Sequence, residues 1–385
     1  MSKKIIGAVA GLAAGALLLT ACGGSSSSSA SSAAPAASEA APASSAAPAA
    51  SAAAPAGKAC VILPDAASSA RWETADRPFL EKAFQGAGLE YDIQNANGDK
   101  AKFATIADGM IAGGCGVMAV VNLDNESGAA VIKKATDAGI PVIDYDRLTL
   151  GGGAKYYVSF DNVAVGDAIG TGLVKCLNDA GVKEGPVALL NGSPTDNNAT
   201  LFAQGYKKAI TDAGFTVADE QAVPDWDNTK AGTIFEQMYT KANGDFVGVA
   251  SANDGLGGAA VAVLERNGQA GKIPTTGQDA TDEGLQRVLL GTQCLTVYKA
   301  VAKEADAASK LMIALLQGDT AAADALATGK VTDTTANVDV PSVLLVPQQI
   351  FADNVKDVIA DGYTTADKIC TTDELKAACA KYGVQ

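Results

Sequence analysis

Several side chains in this sequence are suited to hydroxyl groups, and they recur at the ends of apolar runs. Arg71 and Arg147 each carry parallel N–H donors that can span two adjacent hydroxyls, a geometry lysine does not reproduce. Asp146, Asp196 and Asp279 are strong acceptors. Asn198 and Asn253 both donate and accept, matching the double character of an O–H group. The chain has two tryptophans, Trp72 and Trp226. Each offers a flat apolar face and one N–H donor, which suits the C–H face of a pyranose ring. Trp72 lies between Arg71 and Glu73, and Trp226 between Asp225 and Asp227, so both are expected in polar loops. One on each side of a cleft would sandwich a ring. Taken singly, an Asp or Asn more often serves a turn or a cap, so the weight rests on their joint occurrence.

Composition removes other chemistries. The chain has no histidine, which excludes Ser–His–Asp and Cys–His catalysis and ordinary His-containing zinc sites. Its formal net charge of −14 argues against a nucleic-acid partner, which needs Lys and Arg to neutralise phosphates. No metal site, cofactor or catalytic residue is expected. A glycosidase would need two flanking carboxylates, such as a pair from Asp146, Asp196 and Asp279. Arg and Lys close to these carboxylates should lower their pKa, so none is expected to act as a general acid. A sugar-responsive repressor would need a DNA-binding helix-turn-helix ahead of the first strand, and other segments occupy that place.

The elements that position these residues alternate between β-like and helical patterns. Seven apolar runs end in polar clusters: Pro64-Asp65 running on to Arg71-Trp72, Asn122 to Asn125, Asp144 to Arg147, Ser193 to Asn198, Ser251 to Asp254, Gln278 to Asp282, and Tyr298-Lys299. Between them lie amphipathic stretches, including 76–87, 101–112, 127–138, 171–180, 199–213, 231–242 and 257–267. Such alternation with short connections indicates α/β architecture with parallel sheets covered on both faces. Ligands of such sheets sit beyond the carboxyl ends of the strands. The pattern pauses at Gly151-Gly152-Gly153 and Tyr156–Asp161, which divides the body into two doubly wound lobes hinged near Phe160-Asp161-Asn162.

The chain begins with Lys3 and Lys4, an apolar stretch from Ile5 to Leu19, and Leu19-Thr20-Ala21-Cys22. This reads as a secretory signal peptide over 1–21. The last four residues resemble a bacterial lipobox, which implies that Cys22 is lipidated and holds the protein to the outer face of the cell membrane. Residues 22–57 are almost wholly Ser, Ala, Gly and Pro, a disordered tether.

Six further cysteines, Cys60, Cys115, Cys176, Cys294, Cys370 and Cys379, favour disulfides in an exported chain. The first and third strands of a doubly wound sheet are parallel neighbours, which predicts Cys60–Cys115. Cys370 and Cys379 could close a local loop, leaving Cys176 and Cys294. The pairing of these four stays open.

Ser69-Ala70-Arg71-Trp72, Tyr145-Asp146-Arg147, Phe160-Asp161-Asn162, the run from Gly192 to Asn198, Gly277-Gln278-Asp279-Ala280 and Thr296-Val297-Tyr298-Lys299 resemble the D-xylose-binding type of periplasmic sugar-binding protein. The resemblance runs from roughly Val61 to Ala352. It implies the type 1 periplasmic binding protein fold, with crossings near Phe160–Asn162, near Val297–Lys299 and before Val343–Val346. The lobes would then be 58–160 plus 300–340, and 161–299 plus 341–385. It also implies that Arg71, Asp146, Arg147, Asp196, Asn198, Asn253, Asp279 and Lys299 hydrogen-bond a monosaccharide, with Trp72 and Trp226 stacking on it. The implied partner is an ABC transporter permease served by a monomeric, non-enzymatic binding protein. The Ser69–Trp72 run and Ser251 to Leu256 are also similar to a multi-sugar binding protein that serves a chemoreceptor.

Overall fold

The computed structural model describes residues 57–385. The expected signal peptide, Cys22 and all of the tether except Gly57 lie outside the described residues. The strands in chain order are β1 (Lys58–Leu63), β2 (Tyr91–Asn95), β3 (Cys115–Val120), β4 (Val142–Tyr145), β5 (Tyr156–Phe160), β6 (Pro186–Asn191), β7 (Thr216–Ala222), β8 (Gly248–Ser251), β9 (Thr276–Gln278), β10 (Leu295–Tyr298), β11 (Gly329–Asp333), β12 (Val338–Leu345) and β13 (Gln348–Ile350).

The first lobe is a sheet in the order β11-β12-β5-β4-β3-β1-β2. Only the β11–β12 hairpin is antiparallel. The central strands β1 (from Ala59) and β3 carry no polar side chain other than cysteine, because both faces are covered. Val61, Leu63, Val117 and Ala119 face one core, while Cys60, Ile62, Met118 and Val120 face the other. Complete burial of each Val, Leu or Ile contributes about 1.5–3 kcal/mol. In the second lobe β6 lies between β7 and β8, all parallel, and β10 lies between parallel β9 and antiparallel β13. A Val249–Thr275 bridge joins the two groups.

The chain passes between the sheets three times: from β5 into the helix Asn162–Asp179, from β10 into the helix Val301–Leu316, and from β12 to β13. β12 pairs with β5 through Leu345. The boundary expected at 340/341 therefore falls inside a first-lobe strand, and the third crossing comes at Val346-Pro347. The helix expected from Thr171 begins at Asn162, because Asp161 caps it by accepting from Ala164 N at 3.0 Å. The pause at Tyr156–Phe160 is the buried strand β5.

Three disulfides link Cys60–Cys115, Cys176–Cys294 and Cys370–Cys379, with Cα separations of 5.9, 6.5 and 6.2 Å. The first follows from the parallel pairing of β1 with β3. The second ties the helix Asn162–Asp179 to the start of β10, and the third closes a turn at the C-terminus.

One helix contact bears directly on the site. The helices Asn162–Asp179 and Asn197–Asp212 meet through glycines: a Cβ at Gly205 would lie 2.4 Å from Val163 O, and one at Gly166 2.2 Å from Phe202 O. Backbones at this distance leave no room for any side chain. The close approach carries Asn198 to Asn162, whose Nδ2 donates to Asn198 Oδ1 at 2.9 Å.

Candidate ligand-binding site

The wide turn after β1 sets the first part of the site. Trp72–Asp76 is one turn of π-helix, in which Arg77 N donates to Trp72 O. Its i→i+5 bonding brings residues five apart onto one side. Arg71 and Asp76 are thereby paired twice, Nε to Oδ2 at 2.9 Å and Nη2 to Oδ1 at 2.8 Å. Arg71 Nη1 then reaches Asp146 Oδ2 at 2.9 Å. Arg71 is almost fully buried; burial opposes its charge, but the carboxylates around it, Asp76 foremost, outweigh that and raise its pKa.

Beyond β4, Asp146 adopts a left-handed backbone with φ 62°. Its carboxylate faces both Arg71 and Lys299 Nζ, the latter at 3.0 Å. Burial would raise its pKa; Lys299, Arg71 and Arg147 together outweigh burial and hold the carboxyl well below the usual range. Trp226 (φ 56°) and Asp279 (φ 94°) are left-handed as well. Non-glycine residues seldom adopt this region, and such conformations cluster at ligand clamps and similar sites.

The second lobe gives two residues that divide their polar atoms between fold and site. Asp196 caps the helix Asn197–Asp212, accepting from Asn198 N at 2.9 Å through Oδ1. Its Oδ2 faces Arg147 Nε at 3.0 Å and accepts from Trp226 Nε1 at 3.1 Å. Asn253 caps the helix Asp254–Arg266 through Oδ1, while its Nδ2 donates to Ser68 O of the first lobe at 3.2 Å. Asn198 Nδ2 donates to Asp146 O at 2.8 Å. These contacts hold the lobes closed on one another.

All ten residues expected from the sequence line a single cavity between the lobes: Arg71, Trp72, Asp146, Arg147, Asp196, Asn198, Trp226, Asn253, Asp279 and Lys299. Ser68, Ser69, Phe202 and Gln278 complete it. Ser68 adjoins a motif already singled out, and Ser69 and Gln278 belong to such motifs. Phe202 was missed, although it lies four residues after Asn198 on one helix face, a spacing that places both toward the cleft. In this closed form the cavity itself holds about 30 Å³ of free space, room for a water or two, so a ligand enters only as the lobes open and the lining side chains shift. Its lining carries Arg71, Arg147 and Lys299 against Asp146, Asp196 and Asp279. Equal numbers of cations and carboxylates suit a neutral polar ligand rather than an ion. Ser69 Oγ and Gln278 Oε1 are buried without a protein partner, a cost relieved when a ligand supplies the bond.

Two expectations need correction. The cluster at Asn122–Asn125 does not reach the cavity; Asn122 O accepts from Arg147 Nη1 at 3.1 Å and so supports the arginine. The tryptophans are not in open polar loops: Trp72 and Trp226 are 2% and 6% exposed and belong to the two lobes' cores. The Arg71 guanidinium stands 4.5 Å and that of Arg147 5.6 Å from the Trp72 ring centroid, so Trp72 is a platform for both arginines. Burial raises Asp144 to about 7 and Asp254 to about 6, yet neither lines the cavity.

Among the described residues no helix is long and apolar enough to cross a membrane, and no cluster of His, Cys, Asp and Glu is placed to hold a metal.

Residues 60–320 match the family model of the periplasmic binding protein domain. The chain is 34% identical over 301 residues to the D-xylose-binding periplasmic protein of Escherichia coli (strain K12), covering 76% of this chain and 87% of that protein. It is 32% identical over 320 residues to the multiple sugar-binding periplasmic protein SbpA of Azospirillum brasilense, covering 77% and 87%. Among solved structures, a carbohydrate transporter solute binding protein from Chloroflexus aurantiacus in complex with D-glucose superposes with a TM-score of 0.72 at 28% identity, covering 80% of this chain and 97% of that one. The two crossed-over α/β lobes, the closed polar cavity at their strand ends and these matches lead to one conclusion: the chain belongs to the periplasmic binding protein family, with the type 1 fold.

Proposed function

We propose that the protein is the extracytoplasmic solute-binding component of an ABC sugar importer, closing its lobes on one aldose monosaccharide. The observation that carries this reading is the charge-balanced cavity, in which donors stand next to acceptors. Lys299 Nζ lies 3.0 Å from Asp146 and 3.7 Å from Asp279, and the unpartnered Ser69 Oγ and Gln278 Oε1 add further capacity. Each sugar hydroxyl needs a donor and an acceptor together. Trp226 and Phe202 supply the apolar face for the ring. Closure excludes water and strengthens every such bond.

D-xylose is the first choice of ligand, supported by the similarity to a D-xylose-binding relative, with glucose, galactose and arabinose next. The second reading, a multi-sugar receptor that also serves a chemoreceptor, draws on the likeness to SbpA. The protein acts as a monomer, tethered to the membrane by lipid on Cys22, and hands the sugar to its permease without turnover.

Both tryptophans line the cavity, so intrinsic fluorescence reports on it directly. Titration of the purified chain with xylose, glucose, galactose, arabinose and ribose should change the emission for at least one of them, with matching heat by calorimetry. Absence of binding by every pentose and hexose would end the sugar reading. Release of the aryl group from aryl glycosides would replace it with the enzyme reading.

A further inference from the structure

Beneath the cavity, Arg71 engages three carboxylates. In addition to its two bonds with Asp76 and one with Asp146, Nη2 donates to Glu304 Oε2 at 2.6 Å. A guanidinium has five N–H groups. Four are thus engaged, and one Nη1–H remains on a side chain that lines the cavity. Asp76 uses both oxygens, because Oδ1 also accepts from the Tyr145 hydroxyl at 2.7 Å. Glu304 does not. It is fully buried on the helix Val301–Leu316, and its Oε1 has no hydrogen-bond partner.

A buried carboxylate with one bare oxygen is costly in the ionised form and much less so when protonated. The local charge count agrees. Asp76, Asp146 and Glu304 share Arg71 and Lys299, one cation fewer than the carboxylates. Glu304 does not line the cavity, so any effect on a ligand passes through Arg71.

We propose that Glu304 is a positioning residue that carries a proton in the closed form: neutral, it clamps Arg71 so that the free Nη1–H faces the sugar, and it couples sugar affinity to pH. This rests on the sugar-binding reading above. The charged and titratable groups around Glu304 are Arg71 and Asp76 at the π-helical turn, Tyr145 and Asp146 at the end of β4, Tyr157 on β5, and Lys299 after β10. Burial is the largest influence on its carboxyl; together with Asp146 and Asp76 it outweighs Arg71 and Lys299 and holds the pKa well above the usual range. Closure removes water from the cavity beside Arg71 and deepens the burial that already dominates this carboxyl, so closing takes up a proton. A pKa that is higher in the closed form supports binding at low pH, and that support is lost as pH rises through it.

The test combines calorimetric affinities of the full chain across pH with infrared difference spectra taken without sugar. Wild-type affinity should fall with rising pH, by up to about tenfold per pH unit for one linked proton. Glu304→Gln, an isostere of the neutral acid, should match the wild type at the acidic end and lose this slope. Glu304→Ala should bind more weakly at every pH, because Arg71 loses a partner. The protonated-carboxyl infrared band should be weaker in Glu304→Gln than in the wild type at neutral pH. A wild-type affinity that does not change with pH, an unchanged slope in Glu304→Gln, or an infrared band unaffected by that substitution would overturn the proposal. Failure of every sugar to bind would overturn the sugar reading and the coupling with it, while the infrared arm still decides whether Glu304 is protonated.

Discussion

Arg147 Nε lies 3.0 Å from Asp196 Oδ2, joining the end of β4 in one lobe to the end of β6 in the other. Both side chains are buried, at 9% and 5% exposure, so water screens the pair little. The same Asp196 carboxylate holds the Trp226 indole and caps a helix. Lobe closure, aromatic wall and helix start therefore depend on one side chain.

Asp196→Asn keeps an oxygen for the helix cap but removes the charge that meets Arg147. Sugar affinity should fall about 10- to 100-fold, the range for a lost hydrogen bond to a charged group. The melting temperature should move little. Titration calorimetry beside a thermal melt separates the two effects, and unchanged affinity would show that the pair does not serve the liganded form.

Trp226 packs over Gly192, where a Cβ would lie 2.0 Å from the indole. Its truncation to Ala should cost about 3–5 kcal/mol of stability, contrary to the idea of a loop residue removable without harm to the fold. Trp226→Phe retains most of the apolar face and loses only the donor to Asp196. It should remain folded and bind sugar about 10- to 100-fold more weakly, the scale of one hydrogen bond to a charged group. Equal melting curves for the wild type and the Ala variant would contradict the packing argument.

Stability should decline as pH rises from mildly acidic to neutral. Asp144 is buried, and its oxygens accept from Thr149 N at 2.8 Å and Thr149 Oγ1 at 2.7 Å. Burial, aided by Asp333, raises it to about 7. The folded state therefore binds this proton more tightly than the unfolded chain, whose Asp titrates near about 3.9. Its contribution is fully present below that value and is lost as pH rises through about 7. Asp144→Asn should show a shallower decline in melting temperature across this window than the wild type. An identical decline would remove Asp144 from the account.

Gly205→Ala places a methyl 2.4 Å from Val163 O. The helices Asn162–Asp179 and Asn197–Asp212 must then separate, at about 1–3 kcal/mol for overpacking. Asn198 moves away from Asn162 and Asp146 as they do. Lower stability and weaker sugar binding should appear together. A loss of stability alone would mean that the helix contact does not position Asn198.

Much of the site was legible in the sequence because its parts are local. A parallel strand ends in polar residues, and such ends face one side of the sheet, so Arg71, Asp146, Asp196, Asn253 and Asp279 could be read from residue type and place in the alternation. The Cys60–Cys115 bridge followed from strand order for the same reason. Local pattern also misled: Trp226, flanked by aspartates, reads as exposed, although its ring fills the gap over Gly192.

What only the tertiary structure decided are relations between residues distant along the chain. Glu304 lies 233 residues from Arg71 in an ordinary amphipathic helix, and nothing in its surrounding sequence marks it as part of the site. The same holds for the left-handed backbone at Asp146 and Trp226, the use of Trp72 as a platform for two arginines, and the last crossing at Val346-Pro347. Residue type and periodicity determine which groups can meet a ligand, because those properties act over a few residues. Burial, charge balance and contact across the cleft depend on how two separately wound lobes pack, and they exist only once the chain has folded.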